Sequence, residues 1–267
     1  MVVFFHIPKT AGTTLYGILE QQYEKIFTIN GRDKEKTLQK LVEMDAESMR
    51  EFDCVQGHLT FSMRKHPALK DQDLTFFSFF RDPVKWFVSN YTYVRKQQLN
   101  RFHDVALNMS MDEWLLFQKE EYYDNIQSRH LLERLPLFNP ENLELDLNKV
   151  DKDELIAELF DRLNSINYVF TTDNFDSALL FLYSELSWRK KPYYIWLNAS
   201  SKVSKDKLSP KTRKDIEAVN WLDMILFQEV QKREQEYLNN ISDTAVEKFQ
   251  KVNKNWKYLQ YFRCCFK

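Results

Sequence analysis

The sequence predicts an α/β fold in which helices flank a central, mainly parallel sheet. Short apolar runs rich in β-branched and aromatic residues alternate with longer segments of helical periodicity. The most apolar run, residues 74–80, contains four phenylalanines, which is typical of a strand covered on both faces. A chain of 267 residues is also long enough for one such domain with its own core.

The predicted elements follow one another as short strands and longer helices. Four apolar runs are predicted to be strands: residues 2–6, 52–56, 74–80 and 168–171. Nine segments carry helical periodicity or helix-end signals: residues 13–25, 35–49, 84–99, 111–119, 122–134, 153–163, 175–186, 210–238 and 242–262. Loops are predicted around Pro136 and Pro140 and over residues 198–209. We expect one main domain over residues 1–240, with residues 241–267 as a helical extension that packs on it or trails from it.

The overall charge excludes some classes of partner. With 38 basic and 39 acidic residues the net charge is −1, so we expect no general attraction to nucleic acid or to anionic membranes. Residues 189–214 nevertheless contain nine Lys or Arg against one Asp, which fits either a solvated face or the lining of an anionic-ligand cleft. No run reaches the roughly 18–20 apolar residues of a membrane span, and the first strand leaves no room for a signal peptide. We therefore expect a soluble, cytoplasmic protein, whose oligomeric state the sequence leaves open.

The cysteine pattern predicts neither disulfides nor a metal site. The three cysteines are Cys54, in an apolar run, and the adjacent pair Cys264 and Cys265. They do not form the even, spaced set of a disulfide framework, so a reducing compartment is expected. Because no CxxC or HExxH pattern occurs, no metal cofactor is predicted.

The segment HIPKTAGTT, residues 6–14, predicts a phosphate site. It follows the first strand and opens the first predicted helix, where backbone N–H groups without helical partners and the helix dipole favour an anion. Lys9 adds a full positive charge, and Gly12 allows a close approach of the backbone. The phosphate-binding loop of ATPases has the order GxxxxGK[ST], whereas here the first glycine is missing and Gly12 follows the lysine. A P-loop kinase or ATPase therefore remains only as an alternative.

A second segment, RDPVKWFVS at residues 81–89, predicts a further anion site. Arg81 ends the most apolar strand, Pro83 suits the first turn of a helix, and Ser89 falls off that helix's apolar stripe. Arg81 and Ser89 would reach one anion in the crevice beyond the strand ends, where open α/β sheets bind ligands. The alternative is a surface Arg–Asp pair with an incidental serine.

Together the two segments resemble the sulfotransferases that use 3′-phosphoadenosine-5′-phosphosulfate (PAPS), most closely the branch with the heparan and dermatan 2-O-sulfotransferases. The resemblance implies a three-layer, P-loop-like fold. It implies that Arg81 and Ser89 hold the 3′-phosphate, which ATP lacks. It also implies that the 5′-phosphosulfate is held by Lys9, Thr10, Ala11, Gly12, Thr13 and Thr14.

The resemblance extends from residue 2 to about residue 238. Residues 124–131 are similar to the family's NxQxRxL segment, and residues 168–182 are similar to its next strand-to-helix stretch. Asn198, Ser200 and Lys202, which precede a helix that starts at Pro210, resemble the loop that closes over the nucleotide.

The general base is predicted to be His58, in the segment QGHLTF after the second predicted strand. An imidazole is suited to taking a proton from a hydroxyl that attacks sulfur. The 2-O-sulfotransferases have His-Gly-His at this place and their second histidine is taken as the base, whereas Gln56 replaces the first one here. Without the resemblance, a histidine at a strand end is more often structural, and that role is expected for His6.

The predicted function is in-line transfer of a sulfuryl group from PAPS to a hydroxyl of a carbohydrate-type acceptor, with PAP as product and no metal. A glycan or glycoconjugate is the expected class of acceptor. His58 deprotonates the acceptor, and Lys9 stabilises the charge on the bridging oxygen as the 5′-phosphate leaves. Three alternatives stay open: a lipid or small-molecule alcohol as acceptor, a P-loop kinase or ATPase, and a silent binding protein with the same fold.

Overall fold

The fold was determined as a computed structural model that describes residues 1–29, 34–58, 67–70, 72–135, 144–195 and 208–265. Within these residues the sheet has five strands, numbered in chain order: β1 (Val2–Phe5), β2 (Ile26–Ile29), β3 (Cys54–Gly57), β4 (Thr75–Phe80) and β5 (Tyr168–Thr171). All of their pairings are parallel. The prediction of an α/β fold with a parallel central sheet and flanking helices is confirmed.

The helices of the described residues surround this sheet. In chain order they are α1 (Gly12–Gln22), α2 (Lys34–Glu43), α3 (Ala46–Met49), α4 (Pro67–Lys70), α5 (Pro83–Lys96), α6 (His103–Leu107), α7 (Met111–Glu120), α8 (Ile126–Leu132), α9 (Lys152–Asn164), α10 (Phe175–Glu185), α11 (Pro210–Val219), α12 (Trp221–Leu238) and α13 (Asp243–Cys265). Short 3-10 helices at Leu147–Lys149 and Thr172–Asn174 complete the set.

The strand order β2-β3-β1-β4-β5 places β1 at the centre of the sheet. From β1 the chain crosses to β2 on one side, and from β3 it crosses back to β4 on the other side, so the direction of winding reverses at β1. Phe5 is in register with Gly57 and Phe4 with Phe77. The carboxyl ends of β1, β3 and β4 therefore lie along one edge, at the switch point where open parallel sheets bind ligands.

The core lies on both faces of the sheet because successive side chains of a strand alternate between faces. In β1, Val3 and Phe5 pack into a cluster with side chains of α9 and α12, whereas Phe4 packs on the other face with α1 and α10. A third cluster joins α5, α7 and α11. The near-continuous apolar sequence of the strands is thus explained by burial on both faces.

Two features of the chain differ from the predicted elements. The strand β2 (Ile26–Ile29) was not predicted; it follows directly on the predicted helix over residues 13–25, which in the structure ends at Gln22. Two predicted long helices are each divided in two. Asp45 accepts the Ser48 N–H at 2.7 Å and so caps a new helix, α3, after α2 has ended. Asn220 ends α11 and separates it from α12.

The C-terminal helix α13 contacts the sheet domain through α10 and residues 193–194. Gln250 donates a hydrogen bond to the Asp176 carboxylate at 2.8 Å, and the rings of Tyr193 and Phe249 are stacked with centroids 5.4 Å apart. A boundary between a domain over residues 1–240 and an extension over residues 241–267 stays a prediction.

Candidate active site

Three segments meet at the carboxyl edge of the sheet beside the switch point. Residues 6–11 follow β1, His58 follows β3, and Arg81 follows β4. The backbone N–H of His6 donates to the carbonyl oxygen of Gly57 at 3.0 Å and so continues the β1–β3 pairing into the loops. This pairing holds the first segment directly beside the second.

The loop from β1 to α1 reaches the helix by an unusual backbone path. Lys9 and Ala11 have φ angles of 68° and 69°, in the left-handed region that residues other than glycine rarely adopt. Ala11 caps α1 without a side-chain hydrogen bond to the helix, although its carbonyl oxygen accepts the N–H of Thr14 at 3.0 Å. Backbone turns of this kind at a helix N-terminus form a concave set of N–H donors that suits an anion.

The three threonines of this loop have different surroundings. Thr10 is fully buried, and its hydroxyl donates to the carbonyl oxygen of Ile7 at 2.7 Å, which fixes the turn. Thr14 is also buried, whereas Thr13 is exposed. Of these three hydroxyls, that of Thr13 is therefore the most accessible to a ligand.

Gly12 is required because the imidazole of His6 occupies the space beside its α-carbon. A Cβ added at Gly12 would lie 1.8 Å from Nε2 of His6. His6 is held there by a hydrogen bond of 2.6 Å between its Nδ1 and the hydroxyl of Tyr16. The glycine of the loop thus serves the packing of a histidine as well as the path of the backbone.

Arg81 lies across the loop from Lys9. Its guanidinium donates to the carbonyl oxygen of Lys9 at 3.1 Å. Its backbone is fixed by Gln127, whose side-chain oxygen accepts the Arg81 N–H at 2.8 Å and whose side-chain nitrogen donates to the Arg81 carbonyl at 2.8 Å. Burial lowers the pKa of Arg81, and the nearby Asp173 and Asp82 partly oppose that shift.

One face of α5 covers the loop. Trp86 donates its indole N–H to the carbonyl oxygen of Pro8 at 2.8 Å, and the ammonium group of Lys9 lies 3.9 Å from the centre of the Tyr93 ring. Ser89 is three residues after Trp86 and four before Tyr93, so it shares their face of the helix. Ser89 is buried. This position fits a hydroxyl that is kept for a ligand at the loop.

The two cations of the site are half-buried and close together. Burial and the neighbouring Arg81 lower the pKa of Lys9 to about 8. Neither Lys9 nor Arg81 forms an ion pair with a carboxylate in the part of the chain that the structure describes, whereas the nearby Lys85 does so with Asp173 at 2.5 Å. Two neighbouring cations, one of which lowers the pKa of the other, favour an anion between them.

His58 is poised as an acceptor of protons. Its Nδ1 lies 3.1 Å from the carbonyl oxygen of His6. Since a carbonyl oxygen only accepts, Nδ1 carries the hydrogen of this bond, and Nε2 of the neutral ring keeps its lone pair. The His58 ring is half-buried and is stacked on that of His6, with centroids 4.4 Å apart.

His6 itself is buried and stays neutral. Burial and the neighbouring His58, His130 and Lys9 lower its pKa well below the ordinary value. Burial also raises the pKa of the Tyr16 phenol, so the group that contacts Nδ1 of His6 stays protonated. These contacts fit the structural role that the sequence predicts for His6.

The role of residues 124–131 as a support for the site was not predicted. Gln127 and Ser128 donate their backbone N–H groups to the Asp223 carboxylate at 3.1 and 2.7 Å. Burial raises the pKa of Asp223 to about 6. Arg129, also buried, is paired with Asp124 at 2.7 Å. The NxQxRxL pattern marks this segment in the sequence. Its supporting role is visible only in the structure, in the contact between Gln127 and Arg81.

The remaining predictions concern the loop at residues 198–202, a metal site and a membrane span. Asn198, Ser200 and Lys202 lie outside the described residues. Among the residues that are described, no group of three or more His, Cys, Asp or Glu side chains is arranged to hold a metal ion. None of the helices described is long and apolar enough to cross a membrane.

A family model described as galactose-3-O-sulfotransferase matches residues 1–248 of the chain. The match covers the sheet, the three loops at its carboxyl edge and all of α1–α12. No individual curated protein matches the sequence. The prediction of a carbohydrate sulfotransferase is confirmed at the level of the family, and the placement within the heparan and dermatan 2-O branch is not.

Proposed function

We propose that this chain, which belongs to the galactose-3-O-sulfotransferase family, transfers a sulfuryl group from PAPS to a hydroxyl of a carbohydrate. The observation that carries the choice of donor is the pair of cations Lys9 and Arg81. Arg81 contacts the loop that carries Lys9 and lowers the pKa of Lys9, and neither cation forms an ion pair with a described carboxylate. A nucleotide with phosphates at two positions provides one anion for each of these two cations.

The residues around the loop fit the two ends of such a nucleotide. The N-terminus of α1, the ammonium group of Lys9 and the exposed hydroxyl of Thr13 suit the 5′-phosphosulfate. Arg81 and Ser89 suit the 3′-phosphate, because both face the same loop from the β4–α5 side. The loop with Asn198, Ser200 and Lys202 is proposed to close over the nucleotide, by resemblance alone.

His58 is the proposed general base. Its Nδ1 is used by the carbonyl oxygen of His6, so Nε2 takes the proton from the acceptor hydroxyl. The acceptor oxygen then forms a bond to sulfur while the bond from sulfur to the bridging oxygen breaks. The electron pair of that bond remains on the 5′-phosphate of PAP, and His58 later releases its proton to water.

Lys9 is proposed to stabilise the charge that builds up on the bridging oxygen. Its ammonium group is half-buried and rests on the Tyr93 ring, so it is held in place before the reaction begins. Such preorganised charge in a site with little water is worth more than the same charge in solution. We infer from the family that the acceptor is a galactose-containing glycan, with the 3-hydroxyl as the first position to test.

Two measurements test this function. Calorimetry compares the binding of PAP with that of ATP plus magnesium, and we expect the chain to prefer PAP. Transfer of radiolabelled sulfate from PAPS to lactose, N-acetyllactosamine, a galactolipid and a phenol then identifies the class of acceptor. Preference for ATP with magnesium would indicate a kinase or ATPase instead. PAP binding without transfer to any acceptor would indicate a silent binding protein.

A further inference from the structure

A cavity of about 250 Å³ lies between α5, α7 and the residues that connect α5 to α6. Four of the nine residues that line it are aromatic, namely Phe102, Trp114, Phe117 and Tyr123. This volume is slightly below the roughly 300–1,000 Å³ of typical small-molecule sites. A single ring of a ligand therefore fits it better than a larger molecule.

The aromatic walls present apolar faces in more than one direction. The rings of Trp114 and Phe117 are stacked, with centroids 5.1 Å apart and 26° between their planes. Phe102 stands nearly perpendicular to the Phe117 ring, at 81°, and also to the Tyr123 ring, at 82°. A planar nucleobase would bind between two parallel rings with a gap between them. The stacked pair leaves no such gap, because its two rings are already in contact. A puckered ring with C–H groups on its face suits this corner, because aromatic faces are negative and C–H edges are positive.

Two amide side chains provide hydrogen-bonding groups at the same cavity. Gln118 is only 3% exposed, and its side-chain nitrogen donates to the side-chain oxygen of Asn90 at 3.1 Å. The amide oxygen of Gln118 and the amide nitrogen of Asn90 are the other polar atoms of this pair. An acceptor and a donor together match neighbouring hydroxyls of a sugar, since each hydroxyl both donates and accepts.

The indole N–H of Trp114 adds an unsatisfied group. It is buried without a hydrogen-bond partner in the described part of the chain. A buried donor left unpaired costs about 1–3 kcal/mol. An unsatisfied buried donor calls for an explanation, and a bound ligand is one.

A cation lies at the edge of the cavity. Arg101 is exposed, its guanidinium lies 4.3 Å from the centre of the Phe102 ring, and it donates to the hydroxyl of Tyr123. Among the described residues Arg101 has no acidic partner. Its charge therefore tolerates, and favours, an anionic substituent on the bound ring.

The cavity and the candidate active site share helix α5. Tyr93, whose ring contacts the ammonium group of Lys9, is followed directly by Val94, which lines the cavity. The two sites are therefore contacted by the same stretch of α5, residues 90–94.

We propose that this cavity binds one pyranose ring of the acceptor glycan, at a distance from the ring that receives the sulfuryl group. This inference rests on the proposed function, because that function supplies the glycan. Trp114 and Phe117 contact the face of the ring, Gln118 and Asn90 bind neighbouring hydroxyls, and Arg101 lies beside any anionic substituent.

Binding is tested by ligand-observed NMR with methyl β-galactoside, lactose and methyl β-glucuronide, without donor nucleotide. The variant Val94→Phe fills the cavity, and Gln118→Met removes the amide while keeping the volume. We expect at least a fivefold loss of sugar affinity in each variant. The control Leu116→Ala, at an exposed position of α7, should bind as the wild type does. PAP affinity and melting temperature are measured for every variant to show that the fold and the nucleotide site are retained.

Activity separates a failure of this inference from a failure of the proposed function. We expect Gln118→Met to raise KM for oligosaccharide acceptors at least fivefold, with kcat unchanged and KM for a monosaccharide acceptor unchanged. Normal sulfuryl transfer with unaltered sugar binding in both variants overturns the subsite and leaves the function intact. Preferential binding of adenosine in the cavity, or no binding of any of the three sugars, also overturns the subsite. A third outcome is that both variants abolish sugar binding while the wild-type chain transfers no sulfate. This outcome would support a sugar site and refute the proposed function.

Discussion

His6 and His58 are stacked with ring centroids 4.4 Å apart, although 52 residues separate them in the sequence. They come together because β1 and β3 are neighbours in the sheet. The 2-O-sulfotransferases have two histidines within one segment, and Gln56 replaces the first of them here. In this chain β1 brings a second histidine to the same place. Since burial keeps His6 neutral, a protonated His58 does not face a second imidazolium.

The variant His58→Ala should lower the rate of sulfuryl transfer by about 10²–10⁴-fold, the usual loss for a positioned base. PAP does not need a base to bind, so its affinity should stay within about twofold of the wild type. Steady-state transfer assays and calorimetry measure the two quantities. The matched variant His103→Gln keeps a donor at a histidine that only contacts the Val94 carbonyl, and it should keep its turnover. Near-normal turnover of His58→Ala would refute the assignment of the base.

The variant Gly12→Ala should destabilise the protein by about 1–3 kcal/mol, as overpacked positions do. The cause is the contact of 1.8 Å between the added Cβ and Nε2 of His6. In a His6→Ala background the same substitution should cost less than half as much, because the ring that it strikes is gone. Urea unfolding of the four proteins of this double-mutant cycle measures the coupling.

Gly17 gives a control for that cycle within the same helix. A Cβ at Gly17 meets no atom within 4 Å. Gly17→Ala should therefore stabilise the protein by about 0.4–1 kcal/mol, because alanine lowers the conformational entropy of the unfolded chain. Equal costs of Gly12→Ala in the two backgrounds would show that backbone conformation, and not His6, requires the glycine.

The sequence carries most of the information about where the site lies. Lys9, His58 and Arg81 each follow a predicted strand, and the carboxyl ends of parallel strands meet at one edge of a sheet. Local patterns therefore place all three at the same edge without knowledge of the strand order.

The contacts between these residues depend on the strand order and were not predictable. His6 meets His58 only because β3 lies beside β1, and Gln127 reaches Arg81 only through the packing of α8. The edge strand β2 was missed although the equally short edge strand β5 was predicted, because β2 begins directly after a segment with helical periodicity. The amide pair of Gln118 and Asn90 joins residues 28 positions apart on different helices, which periodicity within one helix does not reveal.

Arg81→Ala should weaken the binding of PAP much more than that of AMP, which lacks the 3′-phosphate. A charged hydrogen bond is worth about 1.5–3 kcal/mol, so we expect roughly a 10–150-fold loss for PAP and less than threefold for AMP. Calorimetry with the two nucleotides measures the difference. The variant Lys96→Ala removes an exposed cation from the same helix α5 and should change neither affinity. Equal losses for PAP and AMP would remove the 3′-phosphate role of Arg81.

Binding of PAP should weaken as the pH rises through about 8, the value to which burial and Arg81 lower the pKa of Lys9. Below this pH the ammonium group is charged and attracts the phosphate, and above it the charge is lost. The Kd should therefore rise by up to about tenfold per pH unit between pH 8 and 10. The variant Lys9→Arg stays charged over this range, so its Kd should change little with pH, whatever its absolute value. Parallel pH profiles for the two proteins would show that another group causes the dependence.

Gln127→Glu should weaken PAP binding because Gln127 positions Arg81. The side chain donates to the Arg81 carbonyl and accepts from the Arg81 N–H, each at 2.8 Å. A carboxylate keeps the acceptor but loses the donor and faces the carbonyl with a negative charge, which should cost about 1–3 kcal/mol. Lowering the pH protonates a buried carboxyl group readily and restores the donor, so PAP affinity should recover towards pH 5. The variant Gln127→Met loses both hydrogen bonds and should show no such recovery. If neither variant weakens PAP binding, or if the two lose affinity equally at every pH, Gln127 does not position Arg81 through these bonds.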